Sequence, residues 1–203
     1  MTQFKAVLFD WEGVIGPQDS RPFGWLMDRL PREYSVTIEA ATEALLHNVG
    51  DFLVAKVDNE TFWQRVGQEL NVEFSQEWMD TIWGDWHGKV VIPEMRELVE
   101  YTKARGLKAV VLSNTFPTSA EQIRKGRGYD MFDAEILSCN LNSMKPDEPI
   151  YHAAIEAAGC APEECIFIDD VEKNLAPARA LGITTILATD TEQIIRDLKA
   201  LIG

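Results

Sequence analysis

The sequence predicts an α/β fold: a Rossmann-like parallel sheet interrupted after its first strand by an α-helical insertion. Three observations carry this. From residue 90 onward, short apolar runs alternate with segments of helical periodicity, the pattern of a parallel sheet covered by helices on both faces. A similar run, "AVLF" at 6–9, stands alone near the start. Between them, residues 16–89 hold helical patterns and few strand-like runs. The expected division is 1–15 with 90–203 for the sheet-bearing core and 16–89 for the insertion, joined by short linkers near Gly16 and Lys89.

Each element has its own signal. "KAVLFD" is a buried strand that stops at a carboxylate. Within the insertion, "FGWLMDRL", "TIEAATEALLHNV", "NETFWQRVGQEL" and "SQEWMDTIWGDW" read as helices. Five of the six tryptophans (Trp25, Trp63, Trp78, Trp83, Trp86) fall there. Trp78, Ile82 and Trp86 are spaced i, i+4, i+8, one helix face, and read as the core stripe of a small bundle. "PEMRELVEYTKARG" is a helix with Pro93 at its start and Gly106 at its end. "LKAVVLSN" is a buried strand. "TSAEQIRKG" opens with Thr118 and Glu121 at capping-box spacing. "AEILS" is a short strand, "DEPIYHAAIEAAG" a helix closed by Gly159, and "ECIFIDD" another buried strand. "VEKNLAPARALG" is a helix, "ITTILAT" a strand and "TEQIIRDLKALI" the last helix.

Composition narrows the function. The chain has 203 residues, 46% hydrophobic and 26% charged, with a net charge of −14, normal for a globular protein and opposed to a nucleic-acid surface. No apolar stretch approaches a membrane span, and the N-terminus lacks the apolar core of a signal peptide. The three cysteines, Cys139, Cys160 and Cys165, form no CxxC pair. A cytoplasmic location with buried or surface thiols is expected. His47, His87 and His152 are scattered and carry no assignment. The sequence leaves oligomeric state open.

In a doubly wound sheet, ligands sit outside the carboxyl ends of the strands. Here those ends carry Asp10 and Glu12, then Ser113 and Asn114, then Asp169 and Asp170, and Lys145 sits in the loop after "AEILS". If the first strand lies between "VVLSN" and "IFIDD", these groups meet in one crevice. Singly, Asp169 and Asp170 read as well as a helix N-cap, and Lys145 as a solvated loop charge. Together, clustered carboxylates demand a cation, and hard oxygen ligands suit Mg²⁺. Ser113, Asn114 and Lys145 are donors of the kind that hold a phosphoryl group, and a carboxylate nucleophile forming an aspartyl phosphate is reasonable chemistry. Gly13 permits a tight turn.

In this order, "FDWEGVI", "VVLSN", "SMKPDEPIY" and "FIDDVEKNLAPARALG" resemble the four motifs of the haloacid dehalogenase superfamily. Residues 16–89 sit where that superfamily places a helical cap. "AKVDNETFW", "LSNT", "KPDEPIY" and "IDDVEKN" are most similar to small bacterial sugar-phosphate phosphatases and to the N-terminal phosphatase domain of mammalian soluble epoxide hydrolase. The resemblance implies an Mg²⁺-dependent phosphomonoester hydrolase acting on a small phosphorylated metabolite such as a sugar phosphate. It implies Asp10 as nucleophile and metal ligand, the backbone carbonyl of Glu12 and the carboxylate of Asp170 as further ligands, and Asp169 as ligand or orienting group. Ser113, the Asn114 amide and Lys145 would hold the phosphate, with Asn174 in support.

Glu12 departs from the pattern. Most phosphatases of this kind carry Asp there as general acid; the enolase-phosphatases carry Glu. The extra methylene displaces a proton donor by about 1 Å, enough to slow the reaction. The alternatives are a weak or inactive relative that binds a phosphorylated ligand or partner, a dehalogenase or a phosphonatase. The last two carry Tyr and Ala at the position of Glu12, and a phosphonatase needs a cap amine, for which Lys56 is the candidate.

Overall fold

The computed structural model describes residues 3–17, 22–82 and 90–203. Its centre is a five-stranded sheet of β1 (Ala6–Phe9), β2 (Lys108–Ser113), β3 (Ala134–Leu137), β4 (Cys165–Asp169) and β5 (Thr184–Leu187), in the order β3-β2-β1-β4-β5. All four pairings are parallel. The first strand is central, flanked by β2 and β4 as the crevice argument required. Phe9 stands beside Val111 on one side and Ile168 on the other.

The side-chain period of two splits each strand between two cores. Val7, Phe9, Val111, Ile166 and Ile168 face helices α5 (Pro93–Ala104) and α10 (Thr191–Ile202), meeting Met95, Leu98, Ile194 and Leu198. Ala6, Leu8, Val110, Leu112 and Phe167 face α8 (Glu148–Ala158) and α9 (Glu172–Ala180), meeting Ile150, Tyr151, Ala154 and Leu175. Both faces are dry, so the strands read as continuous apolar runs rather than alternating ones. Gly159 closes α8 at φ +68° in the left-handed region, which suits a residue without a Cβ.

Residues 22–82 form α1 (Pro22–Tyr34), α2 (Ile38–Leu53), α3 (Asn59–Leu70) and α4 (Gln76–Thr81). Three starts are capped by side chains: Thr37 accepts from the Ala40 N–H, Asp58 from Thr61 and Ser75 from Trp78. Their apolar faces share a cluster containing Leu26, Leu30, Leu45, Phe52, Phe62, Trp63, Val66 and Ile82. Phe116, from the loop after β2, joins that cluster and stacks on Phe52 with centroids 4.8 Å apart. The chain leaves the sheet and returns at adjacent points: the Ile92 N–H donates to the Ile15 carbonyl at 2.9 Å.

One sequence expectation falls partly outside the described residues and one is corrected. Within "SQEWMDTIWGDW" the described helix is α4 (Gln76–Thr81), with Ile82 as its C-cap, and the expected stripe beyond Ile82, at Trp86, lies outside the described residues. Trp78 is half-buried among Tyr34, Trp63 and Phe74, and Ile82 is buried. Trp83, Trp86, His87, Lys89 and the Trp25 side chain lie outside the described residues. The capping box at Thr118 and Glu121 does not form. Pro117 takes the first position of α6 (Pro117–Lys125), with Phe116 as N-cap, because proline's fixed φ and missing N–H favour that position. Among the described residues, no helix is long and apolar enough to cross a membrane.

Candidate active site

β1 ends on Phe9, and the next residues alternate in direction. Asp10 and Glu12 line a cavity of about 210 Å³ together with Asn114, Lys145, Asp170, Val171 and Asn174. Trp11 points the other way, into the core. Its ring meets Tyr129 edge-on at 4.9 Å and lies so close to Gly128 that a Cβ there would be 2.6 Å from the Trp11 ring. This packing aims the two carboxylates into the crevice and the indole away from it.

Lys145 is the centre of the charge network. It is 3% exposed, and its Nζ donates to Asp10 Oδ1 at 2.8 Å, to Asp169 Oδ2 at 2.7 Å and to the Leu112 carbonyl at 3.0 Å. All three ammonium protons are therefore used. Burial alone would push the Lys145 ammonium down, but the two carboxylates outweigh it and hold it up. Burial pushes Asp10 up to about 7, against the pull of Lys145 and with the help of Asp169. The Asp10 carboxyl also accepts the Trp11 N–H on Oδ1 at 2.7 Å.

Asp169 is fully buried, and both its oxygens are engaged. Oδ1 accepts from the Val171 N–H at 2.8 Å and from Asn174 Nδ2 at 3.0 Å; Oδ2 accepts from Lys145 and again from Asn174. Asn174 is held in turn by Tyr151, whose hydroxyl donates to the Asn174 carbonyl at 2.6 Å. Asp170 is half-buried and rests against Gly13: a Cβ on Gly13 would be 2.4 Å from Asp170 Oδ2. Oxygens of Asp10, Asp169 and Asp170 lie within 4.8 Å of one another, an arrangement able to hold a metal ion.

Asn114 is brought to the crevice by a double hydrogen bond. Its Nδ2 donates to the Lys145 carbonyl at 2.8 Å, and its Oδ1 accepts the Lys145 N–H at 2.7 Å. The side-chain amide thus clamps the lysine's backbone. Ser113 is buried at the end of β2. Beyond it, Ser138 accepts the Thr115 N–H at 2.9 Å and donates to the Leu53 carbonyl of α2 at 2.6 Å. Lys56 is exposed in the turn after α2. Sequence reading did not single out Val171, nor the parts of Trp11, Gly128, Tyr151 and Ser138, because each acts through a contact that only the fold creates.

The profile of the haloacid dehalogenase-like hydrolases matches residues 4–182. The chain belongs to this family. Mouse acyl-CoA dehydrogenase family member 10 is 33% identical over 98% of the chain, which spans only 19% of that relative's length. Sesquiterpene phosphatase astK of Aspergillus oryzae is 26% identical over 100% of the chain and 98% of its own. Among solved structures, the HAD family enzyme bt-2542 of Bacteroides thetaiotaomicron superposes with a TM-score of 0.74 at 22% identity, over 93% of this chain and 96% of that one. It has also been crystallised with magnesium and inorganic phosphate. The shared fold is the Rossmann-like sheet with its surrounding helices.

Proposed function

We propose that the chain is an Mg²⁺-dependent phosphomonoester hydrolase of a small phosphorylated metabolite, working through a phosphorylated Asp10. The observation that carries this reading is the convergence of Asp10, Asp169 and Asp170 around the buried ammonium of Lys145. Three carboxylates and one lysine leave an excess of buried negative charge, and the donors are hard oxygens, so the residues present fit Mg²⁺. Asp10, Asp170 and the backbone carbonyl of Glu12 would hold it. Asp169, saturated by Lys145, Asn174 and Val171, would orient the lysine and the metal's surroundings. When bound, the ion offsets the charge of the phosphoryl oxygens as they approach the carboxylates.

In the first step an Asp10 carboxylate oxygen attacks phosphorus, and the phosphorus–oxygen bond to the leaving alcohol breaks. Glu12, protonated, gives its proton to that oxygen. In the second step Glu12 takes a proton from water, the water oxygen attacks phosphorus, and the bond to Asp10 breaks. Inorganic phosphate and the free carboxylate result. Ser113 and the Asn114 N–H hold the phosphoryl oxygens in place, and Lys145 joins them by turning toward the phosphoryl group the proton it gives Asp10. Residues 16–89 act as a cap that closes over the crevice and selects the leaving group.

The astK phosphatase and the magnesium- and phosphate-bound bt-2542 support this reading. The exposed Lys56 does not favour a phosphonatase, whose amine needs a desolvated site. The test is a panel of phosphate esters assayed with Mg²⁺ and with EDTA, for the parent and for Asp10→Asn. Hydrolysis is expected only for the parent with Mg²⁺, and Asp10→Asn should lose several orders of magnitude in rate. Turnover that survives both EDTA and Asp10→Asn would overturn the mechanism. Tight binding of a phosphorylated ligand without turnover would favour the alternative of a non-catalytic relative.

A further inference from the structure

We propose that Cys160 and Cys165 are a redox-active pair, which a hydroperoxide oxidises to an intrachain disulfide and a small thiol reduces again. The two sulfurs lie 3.4 Å apart. They are brought together by a reversal that the five-residue spacing conceals. Cys160 follows the left-handed Gly159 at the end of α8, the 3-10 turn Pro162–Glu164 folds the chain back, and Cys165 opens β4 beside Ala6 of β1. Closing the gap to the usual disulfide length of about 2.05 Å needs a movement of roughly 1.4 Å. The segment 161–164 lies at the surface, exposed or half-buried.

The two thiols differ in access. Cys160 is half-buried, whereas Cys165 is buried behind it. The Lys5 ammonium pairs with Glu164 at 2.7 Å, beside the turn that joins the two cysteines. Burial pushes the Cys165 thiol up and shields it, so the more accessible Cys160 meets the peroxide first. Cys160 attacks the peroxide oxygen, forming a sulfenic acid and releasing the alcohol or water. Cys165 then attacks the sulfenic sulfur, the disulfide forms, and water leaves with the Cys165 proton. Two thiols and one hydroperoxide give one disulfide, one alcohol and one water, a two-electron oxidation. Cys139, in α7 (Ser138–Leu141), has Asn140 rather than a thiol beside its sulfur.

The pair sits at the amino end of β4, and Asp169 ends the same strand at its carboxyl end, so the disulfide is expected to leave the crevice intact. Glu163 and Glu164 lie between the two cysteines, which makes the bond directly readable. The intact protein is treated with one equivalent of hydrogen peroxide, its remaining thiols are blocked, and it is cleaved after glutamate. Two of the three thiols should disappear, the peptides carrying Cys160 and Cys165 should stay joined until dithiothreitol is added, and turnover should change by less than about twofold. Cys160→Ser and Cys165→Ala should each abolish the joined peptides. Retention of all three thiols, sulfinic acid on Cys160 with Cys165 still free, or a bond through Cys139 would each overturn the proposal.

Discussion

Gly13→Ala is expected to disable the crevice from a residue that takes no part in the chemistry. The new Cβ would lie 2.4 Å from Asp170 Oδ2 and 2.7 Å from its Cγ, whereas ordinary contact begins at 3.4 Å. The carboxylate must therefore retreat by about 1 Å, a displacement that costs on the order of 10²-fold in rate when it reaches reacting groups. Mg²⁺ tolerates little error in ligand distance, and disturbing the support of a metal ligand weakens metal affinity by about 10–100-fold. The backbone contributes separately: Gly13 has φ +79°, where a residue with a Cβ loses about 1–2 kcal/mol. For a chain of this length that lowers Tm by roughly 2–8 °C. Activity measured across an Mg²⁺ titration, beside a thermal melt without Mg²⁺, separates the two effects. The expected result is a higher half-saturating Mg²⁺ concentration, a lower plateau and a modestly lower Tm. An unchanged Mg²⁺ curve with the lowered Tm would show that Asp170 retreats without consequence, and would refute its role as a ligand.

Glu12→Gln should lower kcat/KM for an alkyl phosphate by about 10²–10⁴-fold and much less for an activated aryl phosphate, whose leaving group needs little protonation; an unchanged ratio between the two substrates would show that Glu12 is not the proton donor. Lys145→Met leaves Asp10 and Asp169 facing each other without their shared ammonium, a loss of about 3–5 kcal/mol, and the fall in Tm should shrink when Mg²⁺ is added; a Tm equal to the parent's would contradict the charge network. Phe52→Ala removes a ring stacked between Phe62 at 4.4 Å and Phe116 at 4.8 Å and should cost about 3–5 kcal/mol, read as a lower midpoint in urea unfolding; a midpoint within error of the parent's would mean that this stack contributes little.

The three central strands, β1, β2 and β4, were legible because they are apolar on both faces, a signal that needs no knowledge of their neighbours. The central position of β1 entered only as a condition for Asp10, Asp169 and Lys145 to meet in one crevice, and the structure has that strand order. Thr118 was misread because it stands two positions past the N-cap Phe116, Pro117 having taken the first helical position. Gly13 was singled out for its turn, which it makes, but its second duty of leaving room for Asp170 depends on a residue 157 positions away. Asn114 shows the same limit: its type announces hydrogen bonding, while its partner, the Lys145 backbone, belongs to another loop.

The hydrogen bond from the Ile92 N–H to the Ile15 carbonyl has an evolutionary reading. A stretch of chain whose two ends meet within one hydrogen bond is a cassette: its interior can be lengthened, shortened or exchanged while the sheet sees the same two anchoring residues. Asp10 and Glu12 lie upstream of that junction, and Ser113, Lys145 and Asp170 downstream. On the proposed function, selection can thus rebuild the inserted segment while the residues proposed to face phosphorus keep their register, so substrate choice and bond-breaking would be inherited as separable traits.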